Sequence, residues 1–231
     1  MAQPGYGQFC PVAMAAEVLC TRWTMLVLRE LAAGTTRFGD LRRGVVRMSP
    51  TLLSQRLKEL EQAGIIERRR PAGARGAYEY HMTPAGRDLQ PVIEAMGRWG
   101  QRWIGARESL VNLDPSLLMW DMRRNLNVSE LPRRRSVMRF HFPEQRVSWR
   151  DWWLVVEVDG EVELCSIDPG FAADFSVSTD LRTMTAIWMG VTTVEQVRDR
   201  LKLAGSGEVA VRMQKWLGLS PFAGEAKLAV A

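Results

Sequence analysis

The sequence predicts an α+β fold in two parts, and three observations lead to it. Up to about residue 65 apolar residues recur at helical spacing, then two short alternating segments and one more helical segment follow. Past residue 135 the order reverses, with alternating segments first and helical ones after them. The charge also differs between the halves: residues 1–110 hold 16 Lys and Arg against 10 Asp and Glu, whereas residues 111–231 hold 15 against 16. The window 37–75 alone has 10 basic and 4 acidic residues, a net of +6 that equals the whole excess of the first half. Such a segment is either a solvated basic face or the footprint of a phosphate-backbone binder.

The apolar share of 46% and charged share of 25% are those of a soluble globular protein, and 231 residues suffice for two domains. No apolar run approaches the roughly 18 residues of a membrane span. The opening MAQPGYGQFCPVAMAAEVL has no basic stretch ahead of its apolar part, so no signal peptide and no membrane segment is expected. Cys10, Cys20 and Cys165 form neither a CxxC pair nor a disulfide framework, which fits a reducing cytoplasm.

Each element can be justified in turn. Pro11 with Val12, Ala15, Ala16 and Leu19 gives a first helix. Trp23, Leu26, Val27, Glu30 and Leu31 give a second, with Thr21 as its expected N-cap and Gly34 beyond its end. Phe38 and Leu41 mark a short third. Ser49–Pro50 opens the fourth, with serine as cap and proline where its missing N–H is harmless, and Gly64 closes it. In that helix Leu53, Leu57 and Leu60 share one face, while Thr51, Gln55, Lys58 and Gln62 share the opposite one. Ile65 to Arg70 is a strand, PAGARG a turn, and Tyr78, Tyr80 and Met82 alternate with Glu79 and His81 on a second strand. Thr83–Pro84 starts a long helix over 84–104 with Leu89, Val92, Met96 and Trp103 down one side.

Four helices, a hairpin and a helix in that order make a winged helix-turn-helix, with 49–63 as the recognition helix in the major groove. The candidate DNA-binding residues are Arg37, Arg43, Ser49, Thr51, Ser54, Gln55 and Lys58, with Arg68, Arg69, Arg70 and Arg75 of the wing reaching flanking phosphates or the minor groove. Cys10-Pro11-Val12, Arg22-Trp23-Thr24, Arg37 to Leu41, Ser49 to Leu60, Gly64, and Tyr80 to Gly86 together resemble the HxlR-type branch of winged-helix regulators over about residues 6–104. The resemblance implies a homodimeric transcriptional regulator of double-stranded DNA, dimerising through its terminal helices. There are two departures. Cys20 stands where a small glycine is common, and Thr51 stands where a longer polar or basic residue is common. Some HxlR-type regulators use a cysteine at the position of Cys10 as a redox or electrophile sensor. A helix N-terminus lowers a thiol's pKa, so Cys10 is a candidate sensor, its alternative being a half-buried packing thiol. Cys20 and Cys165 read as structural.

The division expected is residues 1–107 for the winged-helix domain, 108–135 for a connecting segment with a short helix near Leu117–Arg123, and 136–231 for the second domain. There Met138, Phe140 and Phe142 mark a strand, Trp152 to Val158 another, and Val162 to Ser166 a third beyond the Asp159-Gly160 turn. Asp168-Pro169-Gly170 turns into Phe175–Val177. Helices are expected over Leu181–Met189, over Thr192–Leu203 with a Thr192–Glu195 capping box, and over Val209–Leu217. This strand-then-helix order over about residues 135–222, carried mainly by Asp174 to Leu217, resembles the sterol-carrier-protein fold, an antiparallel sheet covered by helices. That resemblance implies an apolar small-molecule ligand, and Trp152, Leu154, Leu164, Met184, Ile187, Trp188, Met213 and Trp216 are its candidate contacts. The same side chains would equally fill a core.

Catalytic chemistry is not legible: there is no GxSxG, P-loop or GxGxxG, and neither His81 nor His141 sits at metal-ligand spacing. The expectation is therefore no enzyme, no cofactor and no metal. A DNA-binding regulator modulated by an apolar ligand stands against a lipid or small-molecule carrier whose N-terminal module mainly dimerises.

Overall fold

The computed structural model describes residues 5–70, 78–105, 110–205 and 207–228. The chain divides into two compact units, Met1–Met96 and Gly97–Ala231.

In the first unit α1 is Pro11–Leu19, α2 Thr24–Ala32, α3 Phe38–Gly44 and α4 Pro50–Gln62. The wing is β1 (Ile66–Arg69) antiparallel to β2 (Glu79–Met82), with Ile66 opposite Met82 and Arg69 opposite Glu79. The predicted turn at 71–76 lies outside the described residues, and Arg75 with it. The Thr36 carbonyl accepts a bond from the Tyr80 N–H at 2.8 Å, and Arg37 forms an isolated bridge with Glu79, so the segment before α3 is tied to the two-stranded wing. The core joins Val27, Leu28 and Leu31 of α2, Leu41 of α3, Leu53, Leu57 and Leu60 of α4, and Ile66 of β1.

α2 does not begin on Thr21 as expected. Its N-cap is Trp23, in the left-handed region at φ 79° with no side-chain cap. The ring packs against the core, and that packing outweighs the cap preference of threonine. The expected 84–104 helix is broken into α5 (Pro84–Arg87) and α6 (Gln90–Trp103). Pro91 explains the break, because its ring excludes the carbonyl of residue 87 from a continuous helix and supplies no N–H.

Glu30 is completely buried, 2.7 Å from the Arg29 guanidinium, which also donates to the Gly44 carbonyl at 2.8 Å. A Cβ on Gly44 would meet the Glu30 carboxyl carbon at 1.9 Å. Gly44→Ala is therefore expected to lower the stability of this unit by about 1–3 kcal/mol, the usual range for overpacking. Urea unfolding followed by far-ultraviolet circular dichroism checks this, and an unchanged midpoint would mean that Glu30 moves aside freely.

In the second unit α7 (Pro115–Asn125) precedes β3 (Ser136–His141), the short α8 (Val147–Arg150), β4 (Asp151–Val156), β5 (Val162–Cys165) and β6 (Phe175–Ser178). Then come α9 (Leu181–Trp188), β7 (Lys202–Gly205), α10 (Gly207–Val211) and α11 (Met213–Trp216). The strand order is β5-β4-β3-β6-β7. The sheet is mixed and not wholly antiparallel: β3 and β6 run parallel, Met138 opposite Phe175 and His141 opposite Ser178. Asp168-Pro169-Gly170 lies in the 166–174 connection, which does not join paired strands but carries the chain from β5 at one edge of the sheet past β4 and β3 to β6.

Three further expectations differ from the structure. α7 is no mere connection, because Leu118, Met119 and Met122 sit in the main core beside Phe140 and Phe175. The predicted 192–203 helix is absent. Thr193 and Gln196 cap each other at 3.1 and 3.2 Å, one residue later than expected, and only a 3₁₀ turn at Arg198–Arg200 follows. Residues 202–205 pair with β6 instead, a tertiary gain that overrides helix propensity. Finally, the unit boundary falls inside α6, ahead of the expected 107, because the C-terminal residues pack on that helix. A Cβ on Gly97 would lie 2.2 Å from the Phe222 ring, and Arg102 donates to Glu225 at 2.8 Å.

Candidate nucleic-acid interface

The candidate surface is built on α4. Ser49 accepts the Leu52 N–H at 3.2 Å, with Pro50 in the first turn, so the helix starts where the sequence marks it. Leu53, Leu57 and Leu60 are buried and fix the inward face. Thr51, Ser54, Gln55, Lys58 and Gln62 are all exposed on the outward one. Gln55 donates to Glu59 at 2.9 Å, and Glu59 also pairs with Arg56. Arg56 in turn donates to the Arg22 carbonyl at 3.1 Å, which ties α4 to the turn before α2. Glu59 was not a predicted site residue. Its i,i+4 spacing from Gln55 is the signal that could have found it.

In the chain leading into α4, Arg42, Arg43 and Arg47 are all exposed, and Arg42 and Arg47 are not among the predicted site residues though they lie inside the basic window. Arg37 is exposed and lies 3.5 Å from Glu79 of the wing. The wing arginines do not act as a triplet. Strand alternation puts Arg68 and Arg70 on one face and Arg69 on the other. Arg68 and Arg70 stack on Tyr78, their guanidinium carbons 4.4 and 4.7 Å from its ring centre, while Arg69 pairs with Glu67. Arg68 also stands 3.8 Å from Glu61. Tyr78, unassigned from sequence, thus holds two cations in fixed directions. His81 is part-buried on β2, its Nε2 3.2 Å from Glu79.

Cys10 caps α1, fully exposed, and the N–H groups of Ala13 and Val12 hold its thiol pKa below the ordinary value. It is not the half-buried packing thiol of the alternative. Cys20, expected to be structural, is exposed at the far end of the same helix, whereas Cys165 packs beside Val137, Trp153 and Val155.

The eight candidate ligand contacts come together, but as core. Leu154, Met184, Ile187, Met213 and Trp216 are fully buried and Trp152 nearly so, with Leu164 and Trp188 packed against them. Trp216 meets Phe140 and Phe175 edge-on at 6.5 and 5.7 Å and donates to the Val209 carbonyl at 2.8 Å. Among the described residues no single helix is long and apolar enough to cross a membrane, and no three His, Cys, Asp or Glu side chains group as metal ligands.

Residues 18–108 match the family model described as an HxlR-like helix-turn-helix. Over 98 residues the chain is 38% identical to the uncharacterized HTH-type transcriptional regulator sll1512 of Synechocystis sp., covering 42% of this chain and 73% of that protein. Over 112 residues it is 31% identical to the uncharacterized HTH-type transcriptional regulator YvaP of Bacillus subtilis, covering 48% and 95%. Among solved structures, the reduced form of the transcriptional regulator YodB from B. subtilis aligns at 33% identity and TM-score 0.36, covering 41% of this chain and 93% of that one.

Proposed function

This chain belongs to the HxlR-like helix-turn-helix family of transcriptional regulators, and from that premise we propose that it binds double-stranded DNA sequence-specifically as a homodimer, with α4 in the major groove. The observation that carries this reading is the outward row Thr51, Ser54, Gln55, Lys58 and Gln62. It is exposed, is held from behind by three buried leucines, and follows in the chain a stretch with four exposed arginines, Arg37, Arg42, Arg43 and Arg47. Gln55 matches the N6/N7 edge of adenine and Lys58 that of guanine or a phosphate, while the wing arginines hold the backbone. Two helices support the dimer. α1 buries none of its residues although Val12, Met14 and Val18 are apolar, and α6 presents an exposed apolar stripe.

Binding measured on operator DNA recovered by genomic pull-down, and on random duplex, tests the interface. Gln55→Ala is expected to weaken operator binding by about 1–3 kcal/mol and random DNA hardly at all. Arg69→Ala with Arg70→Ala is expected to weaken both and to reduce the salt slope by about two. Equal losses on both DNAs for Gln55→Ala would remove α4 from sequence readout.

A second reading, modulation by an apolar small molecule in a sterol-carrier-like second domain, is favoured by one observation. The Trp188 indole N–H is buried and has no acceptor among the described residues. A ligand oxygen beneath α9 would satisfy it. The carrier alternative leaves the exposed row of α4 without a use.

A further inference from the structure

The outward face of the second unit's sheet, opposite the main core, carries an ordered row of polar side chains. Asp151 of β4, His141 of β3, Ser178 of β6 and Lys202 of β7 are successive cross-strand partners. The next row on the same face runs Trp153, Arg139, Ser176 and Ala204. Between these rows lies an open hollow of about 250 Å³ lined by Arg139, His141, Ser176, Ser178, Lys202 and Ala204, with Val177 and Leu203 contributing apolar surface.

We propose that this hollow binds a phosphoryl group, either free phosphate or the head of a small phosphate monoester. Three features carry the assignment. First, charge: Asp151 is the only carboxylate in either row, and it is already engaged. It accepts from Arg139 Nε and Nη2 at 3.0 and 2.8 Å and from His141 Nδ1 at 2.8 Å. Those bonds aim the imidazole and guanidinium from behind and leave His141 Nε2 and Arg139 Nη1 unspent. Second, unspent donors: Lys202 makes no ion pair, and the Ser176 and Ser178 hydroxyls make no hydrogen bond, among the described residues. A phosphoryl group has three or more acceptor oxygens and suits ammonium, guanidinium and hydroxyl donors arriving from different strands. Third, size: the hollow is smaller than the roughly 300–1,000 Å³ of a pocket for a drug-sized ligand, so it suits a compact head group and not an acyl chain. The order Asp151, His141, Ser178 also matches an acid, base and nucleophile, but no hydrogen bond joins His141 to Ser178, so the row is assigned to binding.

The chain has two histidines, His81 on the wing and His141 in this hollow, so imidazole NMR locates the event. Inorganic phosphate and phenyl phosphate, titrated into the full chain, are expected to move the His141 ring signals saturably and leave those of His81 in place. Lys202→Gln and Ser178→Ala, checked for folding by circular dichroism, are expected to weaken that binding roughly tenfold or more each. Response to phenyl phosphate alone would identify a monoester, and equal response to both would identify the free ion as sufficient. Shifts confined to His81, no saturable shift, or unchanged affinity in both variants would overturn the proposal. So would benzoate binding more tightly than either phosphate.

Discussion

A chain carrying Met96→Glu and Trp99→Glu is expected to sediment as a monomer at micromolar concentration and to bind its operator at least a hundredfold more weakly. Val92, Met96, Trp99 and Trp103 follow one another at intervals of four, three and four, the spacing that a two-helix seam uses, and each is between 45% and 61% exposed. The opposite side of α6 is already occupied: Gly97 abuts Phe222, and Arg98 and Arg102 reach Glu225 at 3.5 and 2.8 Å. Glutamates on the seam therefore leave the internal packing of the chain intact and act on association. In a two-fold dimer each glutamate meets a second one in a desolvated setting. Splitting two tethered half-site readers removes an avidity of about 10²–10⁴, which sets the size of the effect. Sedimentation equilibrium and fluorescence anisotropy on a palindromic duplex read the two consequences. A dimer surviving both substitutions would exclude α6 as the interface.

Trp216→Ala should destabilise the second unit by about 3–5 kcal/mol, a large part of the 5–15 kcal/mol of a typical domain. The indole is fully buried between Phe140 and Phe175, and its N–H is spent on the Val209 carbonyl. Removing it opens a cavity and leaves that carbonyl without its donor. Trp188→Phe makes the complementary test, since it deletes an N–H that has no acceptor among the described residues. It should cost little stability and should weaken any ligand that uses this donor. If Trp216→Ala kept the unfolding midpoint while abolishing ligand-induced quenching, Trp216 would be a pocket wall and not core.

How much of this was legible in sequence depended on whether local chemistry or distant packing decided the outcome. Ser49–Pro50 and the leucine spacing fix α4 locally, and the structure keeps both. Pro91 carried the break before α6 in plain view, but the apolar periodicity ran across it and concealed it. Thr192 to Leu203 has a capping pattern and helix-forming residues, yet the backbone of 202–205 finds better partners on β6. No local window contains that partner. The same holds for the polar row: His141 and Ser178 are 37 positions apart, and only the parallel register of β3 and β6 makes them neighbours. The wing arginines looked like one cationic patch because a sequence lists neighbours without faces, whereas Tyr78 and Glu67 divide them.

The parallel pairing of β3 with β6 also bears on the birth of the chain. Synthesis runs from the N-terminus, so the contacts of the first unit, made within its own 96 residues, can close while later residues are still being added. The second sheet has no such luxury. β3, β4 and β5 emerge together, but the remaining side of β3, with Met138 and Phe140 inward, stays unpaired until 175–178 arrives, and β6 waits in turn for 202–205. During that interval an apolar strand presents a bare edge to every other nascent copy. Released chains truncated near residue 170 should therefore need a chaperone to remain in solution, and chains ending beyond 217 should not.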